Sequence, residues 1–147
     1  MNKKPILIIC GEPNSIFSEI IIKSFKKFKS RKPILLIGSH NLMLSQLKKM
    51  KIKTEFNLIK LNSNLIKQLD TVRINILNVD YKFKKPFEKI SSKSNKYIER
   101  CFDISFKIIA LNKISGLING PISKKFFLGK KYQGITEYLA KKFKLNQ

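Results

Sequence analysis

The sequence predicts an α/β fold built on a mostly parallel sheet. Two short apolar runs, residues 6–10 and 34–37, each stop at a glycine turn, as strands buried on both faces do. Between the runs, apolar residues recur at the spacing of an amphipathic helix, and lysines fall mainly on the opposite side. Strand, helix and strand in this order form the βαβ unit of a parallel sheet. The apolar positions of the helix are Ile16, Ile20, Ile21, Phe25 and Phe28.

The elements that follow extend this pattern. A second helix begins near Asn41, and strands are predicted over residues 55–60 and 72–79. We expect the strand over 72–79 to lie nearer an edge of the sheet, because polar residues interrupt its apolar alternation. Residues 82–94 are polar and predict a connecting loop. The apolar face of the second helix carries Leu42, Met43, Leu47 and Met50.

The last third of the chain predicts three helices and one short strand. A long helix from about Ser94 precedes a strand at residues 117–118, and further helices begin at about Ser123 and Thr136. The long helix has one broad apolar stripe, and its members are Tyr97, Ile98, Cys101, Phe102, Ser105, Ile108 and Ile109.

The chain is strongly basic. Its 147 residues include 31 Lys and Arg against 9 Asp and Glu, a formal charge of +22 with the single His neutral. Only Arg31, Arg73 and Arg100 are arginines, the side chain that base and phosphate recognition favours. Lysine, like the abundant Ile and Asn, has A/T-rich codons, so codon composition explains the charge better than nucleic-acid binding does. With 43% hydrophobic residues the chain should fold, as one domain or as part of a larger enzyme.

No segment of the sequence indicates export or membrane insertion. The apolar run at residues 6–10 is too short for a signal peptide, and no stretch approaches the roughly 18 apolar residues of a membrane span. Cys10 and Cys101 are too few and too far apart for a disulfide framework or a metal knuckle, so we expect buried thiols. The chain is expected to be cytoplasmic, with no membrane partner.

Three loops are candidates for a functional site. They cover residues 11–15, 38–41 and 119–124, and each follows a predicted strand. In open parallel sheets, ligands bind beyond the carboxyl ends of the strands, where helix N-termini and loop N–H groups converge. None of the loops is a G-x-G-x-x-G sequence or a P-loop, so a standard dinucleotide or nucleoside triphosphate motif is missing. Taken alone, their Gly and Pro residues are consistent with simple tight turns.

A few side chains near these loops could carry chemistry. Lys124 lies at the start of a predicted helix and could bind a phosphate, although some of the many lysines must fall near any loop. His40 is the single histidine, and its position fits a helix cap or surface residue better than a catalyst. Glu12, Glu19 and Glu137 could act as general bases, but acidic residues more commonly stabilise helix N-termini.

Read together, the loops resemble one enzyme family. GEPNSIFSEI at residues 11–20 is similar to the G-[DE]-P-A-G-I-G-P-E-I opening of the 4-hydroxythreonine-4-phosphate dehydrogenases. LIGS at residues 36–39, followed by LML, resembles that family's second strand and helix start. GLINGPISK at residues 116–124 is similar to its A-L-V-T-G-P-I-N-K, and GITEYLA at residues 134–140 to its G-H-T-E-Y-L-A. The four segments occur in the family's order and cover nearly the whole chain.

The resemblance implies a three-layer α/β/α fold like that of the isocitrate and isopropylmalate dehydrogenases. It implies an enzyme of pyridoxal 5′-phosphate (vitamin B6) biosynthesis that uses NAD, or NADP, to oxidise 4-phosphooxy-L-threonine. The oxidised product then loses carbon dioxide to give 3-amino-2-oxopropyl phosphate. The family also implies a homodimer and a divalent metal such as zinc, magnesium or cobalt, held by histidines. The expected partner of the chain is therefore a phosphorylated small molecule.

Three positions of this chain match substrate-side positions of the family. Thr136 falls on the substrate-binding threonine, and Lys124 matches the lysine after Gly-Pro, to which we assign no definite role. Ile135 stands where the family has a substrate-contacting histidine, and it can neither donate nor accept a proton. Ser15 and Phe17 replace glycines of the opening loop, which compromises any close backbone approach there. The resemblance assigns no catalytic, cofactor-binding or metal-binding residue to this chain.

Family chains run on for about as far again. The resemblance therefore implies that residues 1–147 are the N-terminal part of a larger two-lobed fold, as an incomplete sequence, a truncated product or half of a split enzyme. The metal ligands and most NAD contacts are then expected beyond this chain. Our leading hypothesis is the substrate-side part of the dehydrogenase. The alternatives are an inactive remnant that only associates with a partner subunit, and a lysine-rich nucleic-acid-binding protein.

Overall fold

Five parallel strands form one sheet in the computed structural model, which describes residues 4–28 and 30–142. In spatial order the sheet runs β3-β4-β2-β1-β5, and every pairing is parallel. The strands are β1 (Ile6–Ile9), β2 (Ile34–Gly38), β3 (Phe56–Ile59), β4 (Ile74–Asn78) and β5 (Gly116–Asn119). The helices are α1 (Phe17–Lys27), α2 (His40–Lys49), α3 (Asn95–Ala110) and α4 (Ile135–Lys142).

Helices cover both faces of the sheet, because alternate residues of each buried strand point in opposite directions. On one face, Ile22 of α1 and Met43 of α2 share a buried cluster with Ile8 of β1. On the other face, Phe102 of α3 belongs to a second cluster that contains Leu7 of β1. The predicted α/β fold with a parallel sheet and three layers is therefore confirmed.

The apolar face predicted for α1 is partly wrong. Ile16, Ile20 and Phe28 are 63%, 49% and 65% exposed, whereas Ile22 is fully buried. The consecutive isoleucines at positions 20 to 22 permit two helical phases, and spacing alone does not distinguish them. The helix buries Ser18 and Ile22, while Ile16 and Ile20 face outward. The predicted Ile21 and Phe25 are partly buried and pack against the core.

β4 is an interior strand between β3 and β2, so the prediction that it lies nearer an edge is wrong. Its polar residue Asn75 is fully buried, yet both atoms of its amide are bonded. Asn75 Oδ1 accepts from Asn57 Nδ2 and from the backbone N–H of Asp70, while its Nδ2 donates to the carbonyls of Ile34 and Asp70, all at 2.7–2.8 Å. A buried amide whose oxygen and nitrogen both have hydrogen-bond partners is compatible with an interior strand, so the polar residue in β4 did not indicate an edge position.

The elements of the second half follow the predictions closely. The segment after β4 is irregular, and the predicted stripe of α3 is buried except for the half-buried Ile109. The short helix expected from Ser123 is a π-helical turn, Lys124–Leu128, in which Ser123 Oγ accepts from the backbone N–H of Phe126 at 3.2 Å.

Two further expectations concern the cysteines and the membrane. Cys10 and Cys101 are buried free thiols, as predicted. Within residues 4–28 and 30–142, none of the helices has the length and apolar character needed to cross a bilayer.

Candidate active site

The three candidate loops meet beyond the carboxyl ends of β1, β2 and β5, which are neighbours in the sheet. We call residues 11–15 the first loop, 38–41 the second and 119–124 the third. The backbone N–H of Glu12 donates to the carbonyl of Pro121 at 2.7 Å, so the first and third loops are directly bonded. The prediction that the loops share one edge of the sheet is therefore confirmed.

Glycines allow the loops to approach so closely. Gly11 has φ of +69°, and a Cβ atom there would lie 2.3 Å from the Pro121 carbonyl oxygen. A Cβ atom at Gly120 would lie 2.6 Å from the carbonyl oxygen of Cys10, and one at Gly38 would lie 2.7 Å from the Cys10 Sγ. These glycines therefore serve contacts between the loops themselves, which only a residue without a side chain allows.

Glu12 is a buried carboxylate beneath the first loop, with 3% of the residue exposed. Its Oε2 accepts from Ser94 Oγ at 2.9 Å, and its Oε1 accepts from the backbone N–H of Asn14 at 3.2 Å. Ser94 directly precedes α3, so the carboxylate ties the first loop to the beginning of that helix. Both carboxylate oxygens have partners within the protein, which makes Glu12 a positioning residue for the loop.

Asn14 extends this network to the irregular segment between β4 and α3. Its Oδ1 accepts from the backbone N–H of Glu88 at 3.2 Å, and its Nδ2 lies 3.5 Å from the Tyr81 hydroxyl. Partial burial raises the pKa of Tyr81, so this hydroxyl is neutral at physiological pH. The first loop is thus held from both sides, by the third loop and by the segment before α3.

The second loop begins α2 and is fixed by α3. Ser39 caps α2, because its Oγ accepts from the backbone N–H of Leu42 at 3.3 Å. The backbone N–H of Ser39 donates to the buried hydroxyl of Tyr97 at 2.9 Å. One turn further along α2 than Leu42, Gln46 Nε2 donates to the carbonyl of Pro13 at 2.7 Å and joins this helix to the first loop.

The surroundings of His40, Cys10 and Cys101 fit structural roles better than catalytic ones. His40 is the first residue of α2; its backbone N–H donates to Asn78 Oδ1 at 2.9 Å, and its ring packs edge-on against Phe56. Partial burial lowers the pKa of His40, which favours the neutral imidazole at pH 7. Burial raises the pKa of Cys101 to about 12 and that of Cys10 further, so neither thiol supplies a thiolate nucleophile at neutral pH.

The substrate-side residues lie on two neighbouring segments after β5. Lys124 is exposed at the start of the π-helical turn, and Thr136 is exposed in the first turn of α4. Within the described residues, neither side chain has a hydrogen-bond partner. Phe127 of the turn and Tyr138 of α4 pack with ring centroids 5.2 Å apart, which makes the two segments neighbours. Ile135 is half-buried and packs against the core.

The other acidic candidates differ from Glu12. Glu19 pairs with Lys23 one turn along the surface of α1. Glu137 lies in the first turn of α4, where a carboxylate stabilises the helix N-terminus, and its Oε2 has no hydrogen-bond partner in the part of the chain that the structure describes.

Sequence reasoning missed the polar residues that hold the loops, chiefly Asn14, Ser94 and Tyr97. Ser94 and Glu12 are 82 positions apart, and Tyr97 and Ser39 are 58 apart. Helical or strand periodicity reports only near neighbours, so one sequence contains no signal for such pairs.

The residues present do not form a site for the metal that the resemblance implies. Within residues 4–28 and 30–142, no three His, Cys, Asp or Glu side chains are grouped as metal ligands. The oxygens of Glu12 are engaged by Ser94 and Asn14, and His40 lies against Phe56. The loops also lack the glycine-rich helix start that binds a dinucleotide pyrophosphate.

Comparison with known proteins gives one consistent result. The family described as "Pyridoxal phosphate biosynthetic protein PdxA" matches residues 29–147. A curated 4-hydroxythreonine-4-phosphate dehydrogenase from Sulfurihydrogenibium sp. (strain YO3AOP1) is 28% identical over 138 residues, which cover 92% of this chain and 41% of the relative. The first loop lies before the residues that the family matches, whereas the alignment with the curated relative covers 92% of this chain.

Solved structures share the fold. The 4-hydroxythreonine-4-phosphate dehydrogenase from Burkholderia phymatum aligns with a TM-score of 0.82 at 17% identity, over 99% of this chain and 45% of that one. The enzyme of the same name from Klebsiella pneumoniae aligns with a TM-score of 0.75 at 21% identity, over 95% and 44%. The chain therefore spans less than half the length of the relatives that it matches.

Proposed function

Because the chain belongs to the pyridoxal phosphate biosynthetic protein PdxA family, we propose that it forms the substrate-side part of a 4-hydroxythreonine-4-phosphate dehydrogenase. The observation that carries the proposal is the meeting of three family-like loops at one edge of the sheet, with the first bonded to the third through Glu12 and Pro121. Ligands of open parallel sheets bind at this edge.

The proposed reaction is the oxidation of 4-phosphooxy-L-threonine with NAD, or NADP, as the electron acceptor. The 3-hydroxyl loses a proton and its carbon loses a hydride, which gives a 2-amino-3-oxo acid. The carboxylate then leaves as carbon dioxide, and protonation of the remaining enolate gives 3-amino-2-oxopropyl phosphate. The described residues fit neither the dinucleotide nor the divalent metal, so in this proposal other parts of the whole enzyme would hold both groups.

In this proposal Lys124 and Thr136 bind the substrate. Both are exposed on neighbouring segments and have no partner within the described residues, so they are available to a ligand. The ammonium of Lys124 complements a phosphate, and the hydroxyl of Thr136 offers one donor and two acceptor sites. Ile135 contributes packing and no polar contact. The proposal also includes a cytoplasmic location and a homodimeric whole enzyme, both as the resemblance implies.

Calorimetric titration of the chain with 4-phosphooxy-L-threonine tests the proposal without requiring turnover. We expect Lys124→Gln and Thr136→Val each to weaken binding by roughly tenfold, the loss expected for a hydrogen bond to a charged group. Lys107→Gln on α3 is the matched control and should bind as the wild type does. A chain that binds no substrate would contradict the proposal and favour a purely associating subunit. Variants that bind it unchanged would contradict the roles of Lys124 and Thr136.

A further inference from the structure

We propose that a small polar cavity beneath the first loop binds one water molecule, which joins α1 to α2. The inference does not depend on dehydrogenase activity. It rests on a buried hydroxyl without a partner, on the polar atoms that share the cavity with it, and on the size and charge of the cavity. The residues that supply these atoms are already buried within this chain, so the site does not depend on a further domain.

Ser18 in the first turn of α1 has a hydroxyl that needs a partner. The residue is 5% exposed, and its Oγ has no hydrogen-bond partner within the described residues. A buried polar group without a partner costs free energy, so native proteins bond such groups to protein atoms or to ordered water. The family motif G-[DE]-P-A-G-I-G-P-E-I has proline at this position, and proline has no hydroxyl. The need for a partner therefore arises in this chain.

Ser18 lines a cavity that lies between α1, α2 and the first loop. The cavity has a volume of about 20 Å³. A buried water molecule needs roughly 10–15 Å³, so the cavity can hold one water molecule and excludes any larger ligand. On the α2 side its polar lining consists of Ser39 and Gln46, which are 4% and 3% exposed.

The polar atoms of α2 complete the site. Gln46 Nε2 donates to the carbonyl of Pro13 at 2.7 Å, whereas Gln46 Oε1 has no partner within the described residues. Ser39 Oγ accepts from the backbone N–H of Leu42 at 3.3 Å, and its hydroxyl hydrogen can still donate. A buried water molecule typically forms about three hydrogen bonds. Ser18, Ser39 and Gln46 can supply them, which joins the beginning of α1 to α2 directly below the first loop.

The charges around the cavity favour a neutral ligand. Glu12 also lines the cavity, and its carboxylate opposes an anion. Both α1 and α2 begin at the cavity, and the positive ends of their dipoles oppose a cation, as does the net charge of +22. Cavities that stay dry are lined by apolar groups alone, which this cavity is not. Size, polarity and charge therefore all select water.

Oxygen-17 relaxation dispersion of the solvent tests the proposal in the intact chain, because it counts long-lived bound water and does not respond to exchanging hydroxyl protons. Ser18→Val removes the hydroxyl and adds a methyl group to the cavity. We expect this variant to lose one long-lived water molecule relative to the wild type. Ser24→Val on the same helix is the matched control, because Ser24 does not line the cavity, and it should keep the wild-type number.

A crystal structure of the wild-type chain, at a resolution that shows ordered solvent, is the second measurement and decides the matter if Ser18→Val does not fold. We expect one water molecule within hydrogen-bond distance of Ser18 Oγ, Ser39 Oγ and Gln46 Oε1. The proposal is overturned if the wild type has no long-lived water, if folded Ser18→Val keeps the wild-type number, or if the crystal shows the cavity empty or occupied by an ion.

Discussion

At the scale of single residues, the candidate site depends on one buried carboxylate. Glu12 accepts hydrogen bonds from Ser94 Oγ and from the Asn14 backbone, while its own N–H reaches Pro121 in the third loop. Water bonds the same groups in the unfolded chain, so each of these hydrogen bonds adds little net stability. A buried donor that is left without an acceptor, however, costs free energy. Glu12 therefore stabilises the native loop arrangement, because its removal would leave the Asn14 N–H without its acceptor and Ser94 Oγ with only the Ser91 carbonyl, at 2.9 Å.

Glu12→Ala should lower the free energy of unfolding by about 1–3 kcal/mol, since it removes the acceptor of the Asn14 N–H and one of the two acceptors of Ser94 Oγ. Glu12→Gln keeps the shape and one oxygen, and we expect it to lose about half of that. Urea unfolding measures both. Glu19→Ala is the control, because Glu19 forms an exposed ion pair with Lys23 and should contribute less than about 1 kcal/mol. Equal losses at Glu12 and Glu19 would refute the role of Glu12.

Gly120→Ala should destabilise the chain by about 1–3 kcal/mol, since the new methyl would lie 2.6 Å from the Cys10 carbonyl oxygen. Gly116→Ala in the preceding strand is the matched substitution, where a Cβ atom meets nothing within 4 Å. We expect it to be neutral or stabilising by up to about 1 kcal/mol. Thermal unfolding of the pair tests the contact between the third loop and Cys10, the residue that joins β1 to the first loop. If both variants behave alike, the contact does not hold the loops.

Residue roles were the least predictable part of the site. The sequence singled out Glu12 and the loop glycines. The contacts that explain why these residue types are needed are with Ser94, Pro121 and Cys10, which lie elsewhere along the chain or across the sheet. For Lys124, Thr136 and Ile135 the motif supplied positions, and the structure adds exposure and packing. Their contacts with a substrate remain predictions.

At the scale of elements, hydrophobic spacing predicted every strand and the long helix, because buried strands and amphipathic stripes leave local patterns. It failed where more than one solution satisfied the pattern. The isoleucines of α1 allowed two phases, and the packing of the helix on the sheet chose between them. In β4, Asn75 looked like an edge residue and is a buried amide whose partners include Asp70 and Asn57.

The turn before β4 should make the free energy of unfolding depend on pH in the acid range. Hydrogen bonds from the backbone N–H of Val72, and then from Arg73, lower the pKa of Asp70 from 3.8 to about 2. Because the folded pKa is the lower one, the stabilisation is present above pH 3.8 and is lost as the pH falls toward 2. As the pH is lowered from 6 to 2, the urea midpoint of Asp70→Asn should fall less steeply than that of the wild type. Asp103→Asn, on the exposed face of α3, should retain the wild-type slope, and a shared change would contradict the assignment.

Helix α4 offers a prediction about the departure from the family motif. Ile135→His restores a polar side chain beside Thr136, and we expect tighter binding of 4-phosphooxy-L-threonine. The same change removes a half-buried apolar group from the core, which should cost about 1 kcal/mol of stability. Calorimetry and urea unfolding measure the two effects separately. Unchanged binding in a folded variant would mean that position 135 does not face the substrate.

At the scale of the whole molecule, motif order was more informative than charge. The +22 is spread over lysines along the chain. The order of four weak motifs, by contrast, predicted the family that residues 29–147 match and the fold that the solved relatives share. Fold and family could thus be predicted from one sequence, since both depend on patterns distributed over many residues.

The central claim is that the three loops and the start of α4 form a substrate-binding edge. Two-dimensional NMR of the ¹⁵N-labelled chain, titrated with 4-phosphooxy-L-threonine, tests it most directly. We predict that the largest amide shifts fall in residues 11–15, 38–41, 119–124 and 134–137 and saturate together, and that equal concentrations of L-threonine leave them smaller. Shifts scattered over the lysine-rich surface, or confined to the opposite end of the sheet, would contradict the account.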